Sequence, residues 1–516
     1  MLAAEHLPQQ FNVATWFVDR NVAEGRGKVP AFLCEDRTLT YADVLDLTNR
    51  AGNALRDLGV GLEDRVLLLC LDAPEFIAAF WGAIKLGAVP IPVNTLMRAQ
   101  DYLYFLTDSR AKAAVISAPL LAEAGPVLDQ SPWLKHVLIA GGPAGRYLGW
   151  EDRLAKASAT LEAAPTSRDD PAFWLYSSGS TGFPKGAVHL QHDMWICYQT
   201  YAKQTLAMTA SDRIFSAAKL FFAYGLGNSG YMPMGVGASS VLSPHRPTPD
   251  SVYEILSMRK PTIFFGVPTL YAAMLAVKEA EKRYDLSSLR LCVSAGEALP
   301  EELYTRWRQR FGVELIDSIG TTEILHVFLA NPPGRVRPGA SGLPVPGYEL
   351  AIVDDEGRPV PRKEIGNLRV KGDSTMAYYW NKHDKTKEAL HGHWIQTGDK
   401  YWQDEDGYFW FAGRADDMLK VGGIWVSPVE VEGTLIKHDA VLEAAVVGKE
   451  DADRLVKPKA YVVLKDPARS TAGLEDELKA FVKDKIAPYK YPRWIEFVPE
   501  LPKTATGKIQ RFKLRG

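Results

Sequence analysis

At 516 residues, the chain is too long to bury its apolar side chains in one core, so at least two domains are expected. Its 47% apolar and 24% charged residues, with a formal net charge of −2, are ordinary for a globular protein and give no electrostatic ground for nucleic acid or an anionic membrane as a partner. The four cysteines, Cys34, Cys70, Cys197 and Cys292, are scattered without a C-x-x-C pair; this argues against a disulfide framework or a zinc site and fits a reducing cytoplasm.

The first stretch, "MLAAEHLPQQFN", has no basic segment and carries Glu5 before any apolar run, so no signal peptide is expected. The most apolar long stretch, "FIAAFWGAIKLGAVPIPV", is broken by Lys85 and two prolines; it reads as a core helix followed by a strand, not a membrane span. From about residue 60 to 320, buried-strand candidates alternate with helical patterns. The strands are "RVLLLCL", "AAVIS", "HVLIA", "FWLYSS", "RIFSAA", "TIFFGVP", "LRLCVSAG" and "VELIDSIG"; the helices include "EFIAAFWGAIKLG", "SVYEILSMRK" and "EELYTRWRQRFG". The alternation predicts a doubly wound α/β body with largely parallel sheets. After about residue 340 the texture changes. "YELAIVDDEG", "GNLRVKG" and "YFWFAGR" are strands separated by Gly/Asp turns, which predicts a small antiparallel β subdomain. Beyond "GRADD", the helix candidates "PVEVEGTLIKH" and "EDELKAFVKDKIA" and the strands "LEAAVVGK" and "KAYVVLK" predict a compact α+β unit of about 100 residues.

Within that order, "YSSGSTGFPKGAVH" (176–189) stands out for combining glycines, hydroxyls and a lysine. It follows the strand "FWLYSS", and open α/β sheets bind ligands at the C-terminal ends of their strands. Glycine lets backbone approach a phosphate, hydroxyls donate, and Lys185 adds positive charge, so an anion site is expected; the plainer alternative is a surface turn. The spacing is not that of a Walker A loop, and Ser178 stands where a nucleophile elbow needs glycine. "GLGNSG" (225–230) satisfies G-x-G-x-x-G, with Asp250 further on. No amphipathic helix is expected to open on its glycines, so a dinucleotide site is not predicted. The segment reads instead as a close-packed wall for a flat ligand, with plain core packing as the alternative.

"YSSGSTGFPKG", "IGTTE", "TGDKYWQDEDGYFWFAGRADDMLKVGG" and "LPKTATGKIQR" occur in this order across nearly the whole chain. Together they resemble the adenylate-forming superfamily of acyl-CoA synthetases, adenylation domains and luciferases. "SAAKLFFAYGLGN", "SAGEALP", "TEILHVF" and "APYKYP" resemble, within it, the benzoate–CoA and 4-hydroxybenzoate–CoA ligases. The resemblance implies an N-terminal AMP-binding domain (1–415) and a mobile C-terminal domain (416–516). It implies an AMP-forming acid–thiol ligase acting on a small aromatic carboxylate, with ATP, Mg²⁺ and coenzyme A, in the cytoplasm, as monomer or homodimer.

By the same resemblance, Ser177, Ser178, Gly179, Ser180, Thr181, Gly182 and Lys185 hold the ATP phosphates. Thr322 meets the α-phosphate, and Glu323 helps hold Mg²⁺, a hard cation suited to carboxylate oxygen. Gly296, Glu297 and Ala298 flank the adenine, with Asp317 near its amino group; Asp399, supported by Arg414, accepts from the ribose hydroxyls. Lys508 bridges carboxylate and α-phosphate in the first step, Asp416 is the hinge, and Gly422, Gly423 and Trp425 line the pantetheine tunnel. Phe222, Ala223, Tyr224, Gly320, Ile324 and His326 are carried over as the acyl pocket, whose apolar and aromatic character suits a ring better than a long chain. Only Lys219 and His326 in these segments offer a partner to a polar ring substituent, and His326 is equally readable as a core histidine. Phe183 departs from the Arg or Lys often found before the loop proline. Loading of an aryl acid onto a separate carrier protein is the alternative; an ending at "KLRG" without a carrier domain favours the CoA ligase.

Overall fold

The computed structural model describes residues 6–177, 183–415, 417–421, 424–451, 455–503 and 509–515. Two sheets dominate residues 30–344. The larger has nine strands. Its six central strands, in the spatial order Leu315–Gly320, Leu291–Ala295, Ile263–Gly266, Arg213–Ser216, Ser239–Leu242 and Pro30–Cys34, are parallel. Antiparallel strands close both edges: Val327–Ala330 and Leu343–Pro344 on one side, Arg37–Thr40 on the other. The second sheet is parallel throughout, in the order Val89–Pro92, Arg65–Leu69, Ala113–Ser117, His136–Ala140 and Leu148–Gly149. The α/β reading holds, with one correction. The body begins before residue 60, because Pro30–Cys34 is an inner strand of the larger sheet.

Helix Pro74–Leu86 shows why its apolar run stays inside the protein. Its residues from Phe76 to Lys85 are all buried. It crosses helix Tyr41–Asp57 so closely that a Cβ on Gly82 would lie 2.6 Å from the Ala51 methyl. Buried Lys85 gives its ammonium to Asp19 Oδ1 (2.5 Å) and Asn49 Oδ1 (2.8 Å), so the charge in the run is paired. No helix among the described residues is long and apolar enough to cross a membrane. All four cysteines are buried and free.

Beyond residue 345 lies the expected antiparallel subdomain. Trp394–Gln403 pairs with Gly366–Lys371, Leu390–His391 and Phe409–Arg414, and Glu349–Val353 adds at the edge. Residues 419–497 then pack a core of their own. Leu419, Val431, Leu435, Val446, Val462, Leu478 and Val482 cluster there, between the helices Pro428–Ile436 and Ala472–Lys485 and the sheet of Val441–Glu450, Val456–Leu464 and Trp494–Phe497.

Two local expectations fail. "FWLYSS" does not end an open parallel sheet: Pro171–Ser177 forms an antiparallel hairpin with Lys185–Leu190, in a small sheet completed by Tyr378–Tyr379. The ligand rule for open sheets therefore does not apply to the stretch between them. The glycine-rich wall is also helical, running through Ala223–Gly225, a π-helical Leu226–Tyr231 and Met232–Val236. Glycine disfavours helix, but close packing demands it here: a Cβ on Gly225 would lie 2.1 Å from the Lys219 carbonyl oxygen.

Candidate active site

The hairpin sets Ser177 directly opposite Lys185, so the two ends of the Gly/Ser/Thr stretch lie side by side on the sheet. Phe183 is 73% exposed, yet its ring stacks on Tyr104 at 4.8 Å, and the Tyr104 hydroxyl donates to the Pro184 carbonyl (2.7 Å). Where related loops often carry a cation, an aromatic pair anchors the loop's exit. The Lys185 ammonium sits 4.4 Å from the centroid of the Tyr379 ring.

Glu323 lies on the other side of that tyrosine. Strand Leu315–Gly320 ends in a short turn, Thr322–Ile324, which is pinned at three successive residues. His189 Nε2 approaches the Thr322 carbonyl oxygen at 2.8 Å, while its Nδ1 meets Asp193 Oδ2 at 2.7 Å; both side chains are fully buried. Met376 N–H donates to the Glu323 carbonyl (2.7 Å), and Ser374 Oγ to that of Ile324 (2.8 Å). The Tyr379 hydroxyl donates to Glu323 Oε1 (2.7 Å). Burial first, then the Glu323 charge, holds that phenol far above its ordinary value, so it remains a donor. One tyrosine thus orients the carboxylate through its hydroxyl and the ammonium through its ring face, a cation–π contact.

Asp317, on the strand leading to this turn, is buried, and burial raises its carboxyl well above the ordinary value. Its Oδ2 accepts from Leu299 N–H (3.3 Å), which ties it to the segment Gly296–Ala298; Gly296 adopts φ +96° there. Glu297 Oε1 accepts the backbone N–H of Ile509 at 2.7 Å. Asp399 and Arg414 face each other across paired strands, with Arg414 Nη1 3.2 Å from Asp399 Oδ1. Burial holds the Tyr401 phenol well above its ordinary value, and the charge of Asp399 adds to this.

Among the acyl-pocket candidates, the structure brings Tyr224, Gly320 and His326 together. The His326 ring lies 5.9 Å from that of Tyr224 and 5.2 Å from that of Tyr201, and its Nε2 is 3.4 Å from the Tyr224 carbonyl oxygen. Its Nδ1 is buried without a partner among the described residues. Burial pushes His326 down to about 3, so the ring is neutral at neutral pH. Two glycines make room for it. A Cβ on Gly227 would lie 2.3 Å from His326 Cδ2, and one on Gly320 2.3 Å from the His326 carbonyl oxygen. Ile324 and Ala223 are buried, while Phe222 is half-buried and packs on Phe221 at 4.4 Å. Lys219 does not serve this pocket: its ammonium is held by the Ser243 and His245 carbonyls, each at 2.6 Å.

Residues 19–380 match the AMP-binding enzyme family, and residues 430–508 match the AMP-binding enzyme C-terminal domain. The chain belongs to the AMP-binding enzymes. It is 52% identical over 515 residues to the benzoate–CoA ligase of Thauera aromatica, covering 99% of this chain and 96% of that protein. Among solved structures it resembles the anthranilate CoA ligase AuaEII in complex with anthranoyl-AMP (TM-score 0.96, 46% identity, 99% of this chain and 98% of the other). It also resembles a benzoate CoA ligase from Burkholderia xenovorans LB400 (TM-score 0.92, 45% identity, 98% and 100%).

Ser178, Gly179, Ser180, Thr181, Gly182, Asp416, Gly422, Gly423 and Lys508 lie outside the described residues, as does the side chain of Trp425. Trp425 itself pairs with Lys420 in the hairpin of Leu419–Val421 and Ile424–Val426. Sequence reasoning missed Tyr379, His189 and Asp193. "KGAVHLQHD" and "AYYW" contain them, but neither carries a spacing that ties it to Glu323 or Thr322.

Proposed function

We propose that this AMP-binding enzyme is an ATP-dependent acid–thiol ligase. It activates benzoate, or a closely related aromatic acid, as acyl-AMP and then passes the acyl group to coenzyme A, releasing pyrophosphate and AMP. The observation that carries the reading is the placement of Lys185 and Glu323 on the face and edge of one buried tyrosine. A cation and a carboxylate are thereby fixed beside a Gly/Ser/Thr loop. The relatives named for benzoate are CoA ligases, which favours CoA over a carrier protein as acceptor.

The chemistry requires that arrangement. A carboxylate oxygen attacks the α-phosphorus of ATP, forming a P–O bond as pyrophosphate leaves, and two anions must meet without repulsion. Residues 177–182 and Lys185 supply donors and charge to the β- and γ-phosphates, and Thr322 meets the α-phosphate. Asp399, steadied by Arg414, accepts from the ribose, and Asp317 receives the adenine amino group. Among the described residues, no three His, Cys, Asp or Glu side chains gather as a metal cage. A single oriented Glu323 instead suits Mg²⁺, which keeps waters and is shared with substrate phosphates. Bound there, Mg²⁺ would neutralise phosphate charge. The domain border falls at 415/416. After adenylation the smaller unit turns, bringing Gly422, Gly423 and Trp425 to the pantetheine, and the thiol then displaces AMP.

Two results test this reading. In a panel of acids, benzoate and lightly substituted benzoates should outperform octanoate by about 10²-fold in kcat/KM, because Tyr224, Ile324 and His326 bound a short slot; equal efficiency with octanoate would overturn it. Within the panel, His326→Ala should cost hydroxybenzoates more than benzoate, since the unpartnered Nδ1 is available to a ring hydroxyl. Separately, Tyr379→Phe keeps the ring beneath Lys185 and removes only the donor to Glu323. Half-saturating Mg²⁺ for pyrophosphate exchange should rise about tenfold, as expected for one charge-assisted hydrogen bond, while ATP binding without metal, followed by calorimetry, stays unchanged.

A further inference from the structure

Glu297 follows strand Leu291–Ala295 in the segment expected to flank adenine, but its carboxylate is engaged elsewhere. Oε1 accepts the Ile509 backbone N–H at 2.7 Å, a contact spanning 212 residues. Ile509 directly follows Lys508 in the chain. On its far side the segment is fixed within the smaller unit: Arg511 Nη2 and Nε bind Glu432 at 2.8 and 3.1 Å, and Glu432 Oε1 also accepts Val446 N–H (2.7 Å). Gln510 N–H donates to the Pro502 carbonyl (2.8 Å), and Ile509 bridges Lys503. The residues that directly follow Lys508 are therefore tied to their own unit by Arg511 and to the larger body by Glu297. An adenine wall needs flat packing, not charge, and a carboxylate near a polyanionic nucleotide is unfavourable unless a donor engages it.

We propose that Glu297 is a positioning residue that docks the Lys508 segment for adenylation, rather than an adenine contact. The inference rests on the reading above that Lys508 serves the first half-reaction. The hydrogen bond exists only while the smaller unit lies against the larger body as it does here, so it favours that state over any rotated one. Its anionic acceptor makes it stronger than a neutral backbone bond.

The test uses the full-length protein and three measurements: benzoate-dependent ATP–pyrophosphate exchange, AMP binding by calorimetry, and thioester formation from presynthesised benzoyl-AMP and CoA. Glu297→Ala should lower kcat for exchange by about tenfold, with KM for ATP and the AMP dissociation constant within about twofold of the parent. Its thioester step should run at the parental rate. Glu297→Gln, which keeps an acceptor oxygen, should recover most of the lost exchange. A raised KM for ATP with unchanged kcat would overturn the proposal in favour of an adenine contact. Equal loss in both half-reactions, or no loss in either, would also overturn it. Lys508→Ala is measured alongside. If that variant exchanges pyrophosphate normally, the role of Lys508 fails and the inference falls with it; if it does not, while Glu297→Ala does, only the docking role fails.

Discussion

Lys508→Ala is expected to lose benzoate-dependent pyrophosphate exchange by at least about 10²–10³-fold and still convert presynthesised benzoyl-AMP to thioester at close to the parental rate. In adenylation, negative charge builds on the α-phosphate as the carboxylate attacks, and an ammonium placed there stabilises the transition state more than the ground state. If the smaller unit turns before the thioester step, as proposed above, it takes the lysine out of the site. The Glu297–Ile509 contact (2.7 Å) shows the segment after Lys508 lying against the larger body, the arrangement in which the lysine would act. Equal impairment of both half-reactions, with the fold intact by circular dichroism, would contradict the alternation.

Asp416→Pro should give the opposite pattern. Residue 416 lies between Ala415, whose N–H donates to the Gly398 carbonyl (2.9 Å), and Met418, whose N–H returns to the Arg414 carbonyl (3.1 Å). From Leu419 onward the chain packs in its own core. One contact that rotation would break, the Lys437–Glu301 pair joining the two bodies, is about half exposed on each side (49% and 51%), a class of contact worth at most about 1 kcal/mol. Proline fixes φ and restricts the residue before it, so if Asp416 is the hinge, the substitution should block the swing. Pyrophosphate exchange should persist, and thioester formation should fall by about 10²-fold or more, the scale set by misplacing a reacting group. Loss of exchange to the same degree would identify the position as structural.

The parts of this protein that sequence makes legible are those built from local pattern. Parallel inner strands such as Ala113–Ser117 and Leu291–Ala295 are buried on both faces, and they read as unbroken apolar runs. Pro171–Ser177 reads the same way, yet it belongs to an antiparallel hairpin, because burial on both faces erases the alternation that would reveal its pairing. Residues 223–236 carry four glycines and Pro233; their propensity opposes the helix they form, and tertiary packing overrides it. In the site, residue types followed from motif resemblance, while the contacts that orient them did not. Tyr379 reaches Glu323 across 56 residues and Glu297 reaches Ile509 across 212, and no spacing in the chain encodes such meetings.

The two glycines around His326 also bear on how the preference for one acid over another can drift. Space there is created by atoms that are missing: a methyl at Gly227 or Gly320 would run into the imidazole or its carbonyl at 2.3 Å, a collision the packed interior has little slack to absorb. Those two positions are closed to change whatever acid the enzyme meets. If Ile324 and His326 bound the acyl slot as proposed, they can be trimmed, Ile324 being buried without a backbone constraint of that kind, and each shortening should open room for a larger or differently decorated ring. On that reading, a lineage adapting to a new aromatic acid would change these side chains and leave the glycines as they are.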